Sequence, residues 1–150
     1  GENERFNRLE TFLRASNYAG IAFGNTGTGS VHALSYPLSG VYHVTHGEAN
    51  YQFFLAILKL YEKADPNCQI KQLKNLLSNC LKCKEEEVFN SLENLLSSLL
   101  PRKPLKEYGM KEDEIKKFSE SVIQSQQRLL TNSPIVMTKE FIQGIYQQLF

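Results

Sequence analysis

A chain of 150 residues and formal charge +1 has room for one domain with a proper core, because folding at this length buries roughly two thirds of the unfolded chain's surface. Its 17 Lys and Arg are interspersed among 16 Asp and Glu, so no basic face points to nucleic acid or an anionic membrane as a partner. The longest apolar run, FFLAIL, is far short of the roughly 20 residues of a membrane helix, and the charged start is unlike a signal peptide, so a soluble, cytoplasmic chain is expected.

Gly1 precedes a segment that reads as helix almost at once, the look of a shortened chain with a leftover glycine. From Glu4 to Phe23 apolar residues fall at Phe6, Leu9, Phe12, Leu13, Ala19, Ala22 and Phe23, which is helical spacing. The second half of that helix is rich in small residues, Ala15, Ser16, Ala19, Gly20, Ala22 and Gly24, and predicts a close approach by another backbone. Asn25 to Gly29 breaks the helix. A short helix from Ser30 follows, disturbed by Pro37 and ended near Gly40.

Glu48 to Tyr61 is strongly apolar at helical spacing and closes at the turn signal ADPN. Ile70 to Leu81 and Glu85 to Leu100 carry regular rows of leucine, isoleucine, valine and phenylalanine and are expected to be amphipathic helices. PRKPLKEYG reads as a loop, and KEDEIKKFSESVIQSQQRLL as a helix with acidic residues at its dipole-favoured start. Thr138 can cap a last helix, with Met137 and Ile142 placed as a hydrophobic staple. No run of alternating β-branched residues argues for a sheet. The expected fold class is therefore all-α, a bundle of about seven helices, and a Rossmann unit is absent.

Three cysteines cannot all pair within one chain, and a reduced state is the simpler expectation. Cys80 and Cys83 form a CxxC, but without a second CxxC or a paired HxxxH there is no zinc motif to complete.

All three histidines lie in GNTGTGSVHALSYPLSGVYHVTHGEAN, residues 24–50. As a phosphate cradle this stretch fails, since Ser30 stands where a P-loop needs lysine and no strand precedes it. As a metal site it offers imidazoles, which ligate iron, zinc, nickel or copper when neutral. His32 would lie on the short helix after the glycine turn and His46 at the mouth of the next, with a bend between them that can return both to one cleft. Against this stands the ordinary case of packed, hydrogen-bonded histidines.

The longer string AGIAFGNTGTGSVHALSYPLSGVYHVTHGEAN, through Asn25, Gly29, His32, Ala33, Pro37, Leu38, Gly40, His46, Gly47, Ala49 and Asn50, resembles the metal-binding signature of the iron-containing alcohol dehydrogenase family. The closing NSPIVMTKEFIQGIYQQLF resembles that family's last helix. The resemblance covers residues 1–150 and implies the helical C-terminal domain of the dehydroquinate synthase-like fold, with the nucleotide-binding N-terminal domain outside this chain. It further implies an oxidoreductase in which a divalent metal, Fe2+ or Zn2+, sits in the cleft between domains and hydride passes between an alcohol or aldehyde and NAD(P). The family's metal takes one aspartate and three histidines; the last two histidines map onto His32 and His46, and no Asp occurs before Asp65. Half of a ligand set, and no catalysis by the isolated chain, is the expectation. Tyr36 replaces the second histidine of many relatives and offers a phenol as donor or a packing role; His43 is expected to line the pocket or support the ligands, or else to lie on the surface. Gly27, Gly29, Gly40 and Gly47 are expected to serve turns. Within the family the stretch is most similar to members that interconvert 4-hydroxybutyrate and succinate semialdehyde. A homo-oligomer is expected for the intact enzyme. The competing expectation is a non-enzymatic helical protein-interaction domain that retains the signature.

Overall fold

A computed structural model describes residues 2–150. Eight α-helices make up most of it, with no strand among the described residues. They are α1 (Glu2–Thr26), α2 (Ser30–Tyr42), α3 (His46–Ala64), α4 (Ile70–Leu81), α5 (Val88–Leu99), α6 (Glu114–Ser125), α7 (Gln127–Leu130) and α8 (Lys139–Leu149). The all-α expectation holds, with eight helices where about seven were expected.

The extra helix comes from a break in the segment expected to run through to Leu130. The chain leaves helical geometry at Gln126 (φ −114°, ψ 23°) before α7 begins. Two further boundaries need correction. Glu85–Glu87 forms a 3-10 turn ahead of α5, and the PRKPLKEYG loop contains a second one, Leu105–Tyr108, which seats Leu105 fully in the core. Buried Leu105 and the hydrogen bonds of Tyr108 to Glu48 and Gln52 tie this short piece to the core.

Helix α2 does not end at Gly40. It runs on to Tyr42 with Pro37 inside it and stops at His43, whose φ of 55° is left-handed. Proline costs a helix one internal hydrogen bond, and here Ala33, Leu34 and Leu38 are buried against the core on the same helix, so packing overrides the local penalty. Of the four glycines expected at turns, only Gly27 takes a positive φ (77°); Gly29 precedes α2 at φ −123°, and Gly40 and Gly47 lie within helices with open space around them.

Helices α2, α3, α6 and α8 enclose the core. Leu34, Phe53, Ile57, Val122, Ile142 and Tyr146 are among its buried side chains. Tyr146 is its hub: its ring meets Phe53 edge-on at 5.3 Å and lies 6.3 Å from Phe118, while its hydroxyl donates to the Leu34 carbonyl at 2.6 Å. The last helix is capped as expected, with Thr138 Oγ1 accepting from the Phe141 N–H at 3.2 Å and with Met137 and Ile142 both buried. Helices α4 and α5 pack on each other at the flank, leaving Leu76, Leu95 and Leu99 exposed.

Helix α1 corrects the remaining expectation. No other part of the described chain approaches its small residues: a Cβ on Gly24 would meet nothing within 4 Å, and one on Gly20 would meet only Phe23 of the same helix. Phe6, Leu9, Phe12, Leu13, Tyr18, Ile21 and Phe23 are all exposed. None of the helices is long and apolar enough to cross a membrane among the described residues.

Candidate metal centre

The glycine turn after α1 is anchored by the far end of the chain. Gly27 donates its N–H to the Phe23 carbonyl at 2.7 Å, ending α1, and the Asn132 side chain donates to the Thr28 carbonyl at 2.8 Å. Buried Ser30 hydrogen-bonds to Ser133, which also accepts from the Tyr61 hydroxyl at 3.1 Å. The turn thus spends its polar groups on protein and fixes where α2 begins. His32 follows in the first turn of α2, half-buried.

The other wall is the start of α3. Thr45 precedes the helix at φ −57°, ψ 143°, and the left-handed His43 lets the chain reverse between α2 and α3. Glu48, in the first turn, suits the positive end of the helix dipole. It accepts from the Tyr108 hydroxyl at 2.8 Å, and Gln52, one turn on and buried, donates to the same hydroxyl at 2.8 Å. Burial, followed by the Glu48 carboxylate, pushes the Tyr108 phenol up, so it stays a hydroxyl donor. The 3-10 turn that carries Tyr108 thereby holds the mouth of α3 in place.

The result is that His32 and His46 face each other, with ring centroids 5.1 Å apart and planes tilted by 49°. Burial, and then the neighbouring His46, hold His32 below the ordinary histidine range, which favours the neutral form a metal ligand must have. His43 is not drawn in; it sits exposed at the end of α2. Tyr36 is exposed one turn beyond His32 and lines a shallow cleft between α2 and α6 with Pro37, Val41, Lys117 and Phe118.

Two imidazoles in this arrangement fit one divalent ion as part of a donor set, since each supplies a neutral nitrogen. They do not complete it: no group of three or more His, Cys, Asp or Glu side chains is gathered among the described residues. Cys80 is exposed and Cys83 half-buried near the end of α4, and both thiols are free. Two residues without a role in the sequence reading also belong to the centre. Ser35 and Asn50 lie between the two histidines, and helical spacing alone, three residues after His32 and four after His46, is the signal that places them there.

The model of the Fe-containing alcohol dehydrogenase family, C-terminal part, matches residues 1–150. The chain belongs to this family. The chain is 54% identical over 150 residues to 4-hydroxybutyrate dehydrogenase of Clostridium kluyveri, covering all of itself and 40% of that protein. It is 30% identical over 145 residues to long-chain-alcohol dehydrogenase 1 of Geobacillus thermodenitrificans, with 90% of this chain and 35% of that one covered. It therefore spans well under half the length of these relatives. Among solved structures, 1,3-propanediol oxidoreductase superposes with a TM-score of 0.74 at 23% identity, over 88% of this chain and 35% of that one. An archaeal halo-thermophilic alcohol dehydrogenase from a Red Sea brine pool gives 0.72, also at 23% identity, over 83% and 33%. These two likenesses establish the shared fold of the helical domain.

Proposed function

We propose that this chain is the metal-binding helical part of an NAD(P)-linked dehydrogenase that interconverts a small alcohol and its aldehyde, 4-hydroxybutyrate and succinate semialdehyde being the favoured pair. The observation that carries the reading is the pairing of His32 and His46 at 5.1 Å. The family's name makes Fe2+ the first metal to try, with Zn2+ second, and the 54% identity to the Clostridium kluyveri protein supports the substrate.

When bound, a divalent metal supplies Lewis acidity to the reacting oxygen while hydride passes between substrate carbon and nicotinamide. The chain's own part is to hold and orient. His32, its pKa lowered by burial toward the neutral form, and His46 at the helix mouth lie side by side as two candidate ligands. Tyr36, exposed one turn away, offers a phenol proton to a substrate oxygen.

The remaining ligands and the nicotinamide site belong to the nucleotide-binding part of the full-length enzyme, a homo-oligomer in this reading, and the chain by itself is inactive. An exposed apolar row on α1 favours one second reading, a non-enzymatic helical interaction domain that keeps the signature. Anaerobic titration with Fe(II) and then Zn(II), followed through the three imidazole NMR signals, separates the two. The dehydrogenase reading expects His32 and His46 to respond together at one weak affinity, with the response lost in the His32→Ala, His46→Ala double variant and retained when Cys80 and Cys83 are replaced. Independent or silent histidines in a folded chain refute it and favour the interaction domain.

A further inference from the structure

The interface between α2 and α3 is apolar, with Ala33, Leu34, Leu38, Ala49 and Phe53 all buried in it, apart from one polar thread. Ser35, fully buried on α2, has a single hydroxyl proton and two oxygens in reach: the His32 carbonyl at 3.0 Å and Oδ1 of Asn50 at 2.6 Å. The Asn50 amide nitrogen in turn lies 3.0 Å from Nε2 of His46. The thread runs from the backbone of one histidine to the ring of the other. A serine hydroxyl inside an apolar interface is costly unless its hydrogen bonds are used, and half-buried Asn50 links it to the exposed His46.

We propose that Asn50, held in place by Ser35, is the positioning residue for His46: it fixes the imidazole opposite His32 before a metal arrives. This deepens the reading of His32 and His46 as a metal pair and rests on it. An amide suits the task because it presents a donor and an acceptor on one planar group. Its N–H serves a bare Nε2; turned over, its carbonyl accepts from a protonated Nε2 while the N–H goes to Ser35 Oγ, and the Ser35 proton then belongs wholly to the His32 carbonyl. Either imidazole tautomer is held, so the ring keeps its place when metal entry dictates which nitrogen carries the proton. Partners of this kind behind a ligating histidine are worth about 10- to 100-fold in metal affinity.

The test uses the 150-residue chain and its Asn50→Ala, Asn50→Asp and Ser35→Ala variants, each checked for folding by circular dichroism. Two readouts are taken: the ring-to-ring nuclear Overhauser effect between His32 and His46 without metal, and calorimetric Fe(II) and Zn(II) affinity. Asn50→Ala is expected to abolish the ring-to-ring signal and weaken metal binding about 10- to 100-fold. Asn50→Asp, which keeps an acceptor oxygen in the same shape, is expected to retain the signal, and Ser35→Ala to weaken it. A folded Asn50→Ala with an unchanged ring-to-ring signal overturns the proposal, whatever metal does. Should Asn50→Ala fail to fold, an Asn50→Asp or Ser35→Ala chain that is folded decides it: loss of the signal in Asn50→Asp, or no change in Ser35→Ala, overturns it. A wild-type chain whose histidines ignore metal refutes the metal reading instead, and the metal-free signal still tests the positioning.

Discussion

Tyr146 illustrates how much one buried polar atom decides. Its ring fills the space between α3 and α6, and its hydroxyl, sealed from water, donates to the Leu34 carbonyl on α2. Burial pushes the phenol well above its usual range, so the hydroxyl stays protonated across ordinary pH. Tyr146→Phe keeps the packing and removes the hydrogen bond, and urea denaturation should find a loss of about 1 kcal/mol. His32 and His46 were recognisable as a pair from the signature string, whereas Asn50 stood in the string with no task attached and Ser35 carried no motif. A hydroxyl or amide acquires meaning only from its neighbour, and that neighbour lies on another helix.

At the level of elements, the sequence locates seven of the eight helices, with hydrophobic spacing placing α1, α3, α4 and α5, and α4 matches to the residue. The errors lie where a long-range contact competes with a local signal. Pro37 and Gly40 argued for ending α2, yet the core seats of Leu34 and Leu38 carry it on to Tyr42. Ion pairing ties α3 to α5 and to the loop after it: Glu93 meets Lys59 at 2.7 Å and also meets Arg102. The hydrogen bond from Lys59 holds the Glu93 carboxyl below the usual carboxylate range against the opposing effect of burial. A depressed folded-state pKa gives stability that is present above the unfolded value of 4.5 and lost as pH falls through the folded value. Glu93→Gln should therefore cost about 1 kcal/mol at pH 7. In denaturation series across pH, that difference should shrink toward zero below pH 4.5.

Over the whole molecule, the feature that stands out is α1, a long helix whose Phe6, Leu9, Phe12, Leu13 and Phe23 face solvent. A row of this size marks a contact surface. Sedimentation velocity should find the isolated chain self-associating at micromolar concentration and binding an apolar dye, and Phe6→Ser, Phe12→Ser, Phe23→Ser together should restore a monomer; a dilute wild-type monomer that binds no dye contradicts the expectation. The small residues of α1 were expected to meet another backbone, and none of the described chain comes near them. By itself the sequence determined the all-helical class, most helix positions, the last helix with its Thr138 cap, and the membership of His32 and His46 in one signature, because periodicity, capping and motif strings are local properties. Only the tertiary structure decided that α2 outruns its proline, that Leu105 is buried in the core, that His43 stays outside, and that Ser35 and Asn50 join the two histidines. Each of those depends on which helices touch, and contact between residues distant along the chain is settled by the shared burial of their side chains.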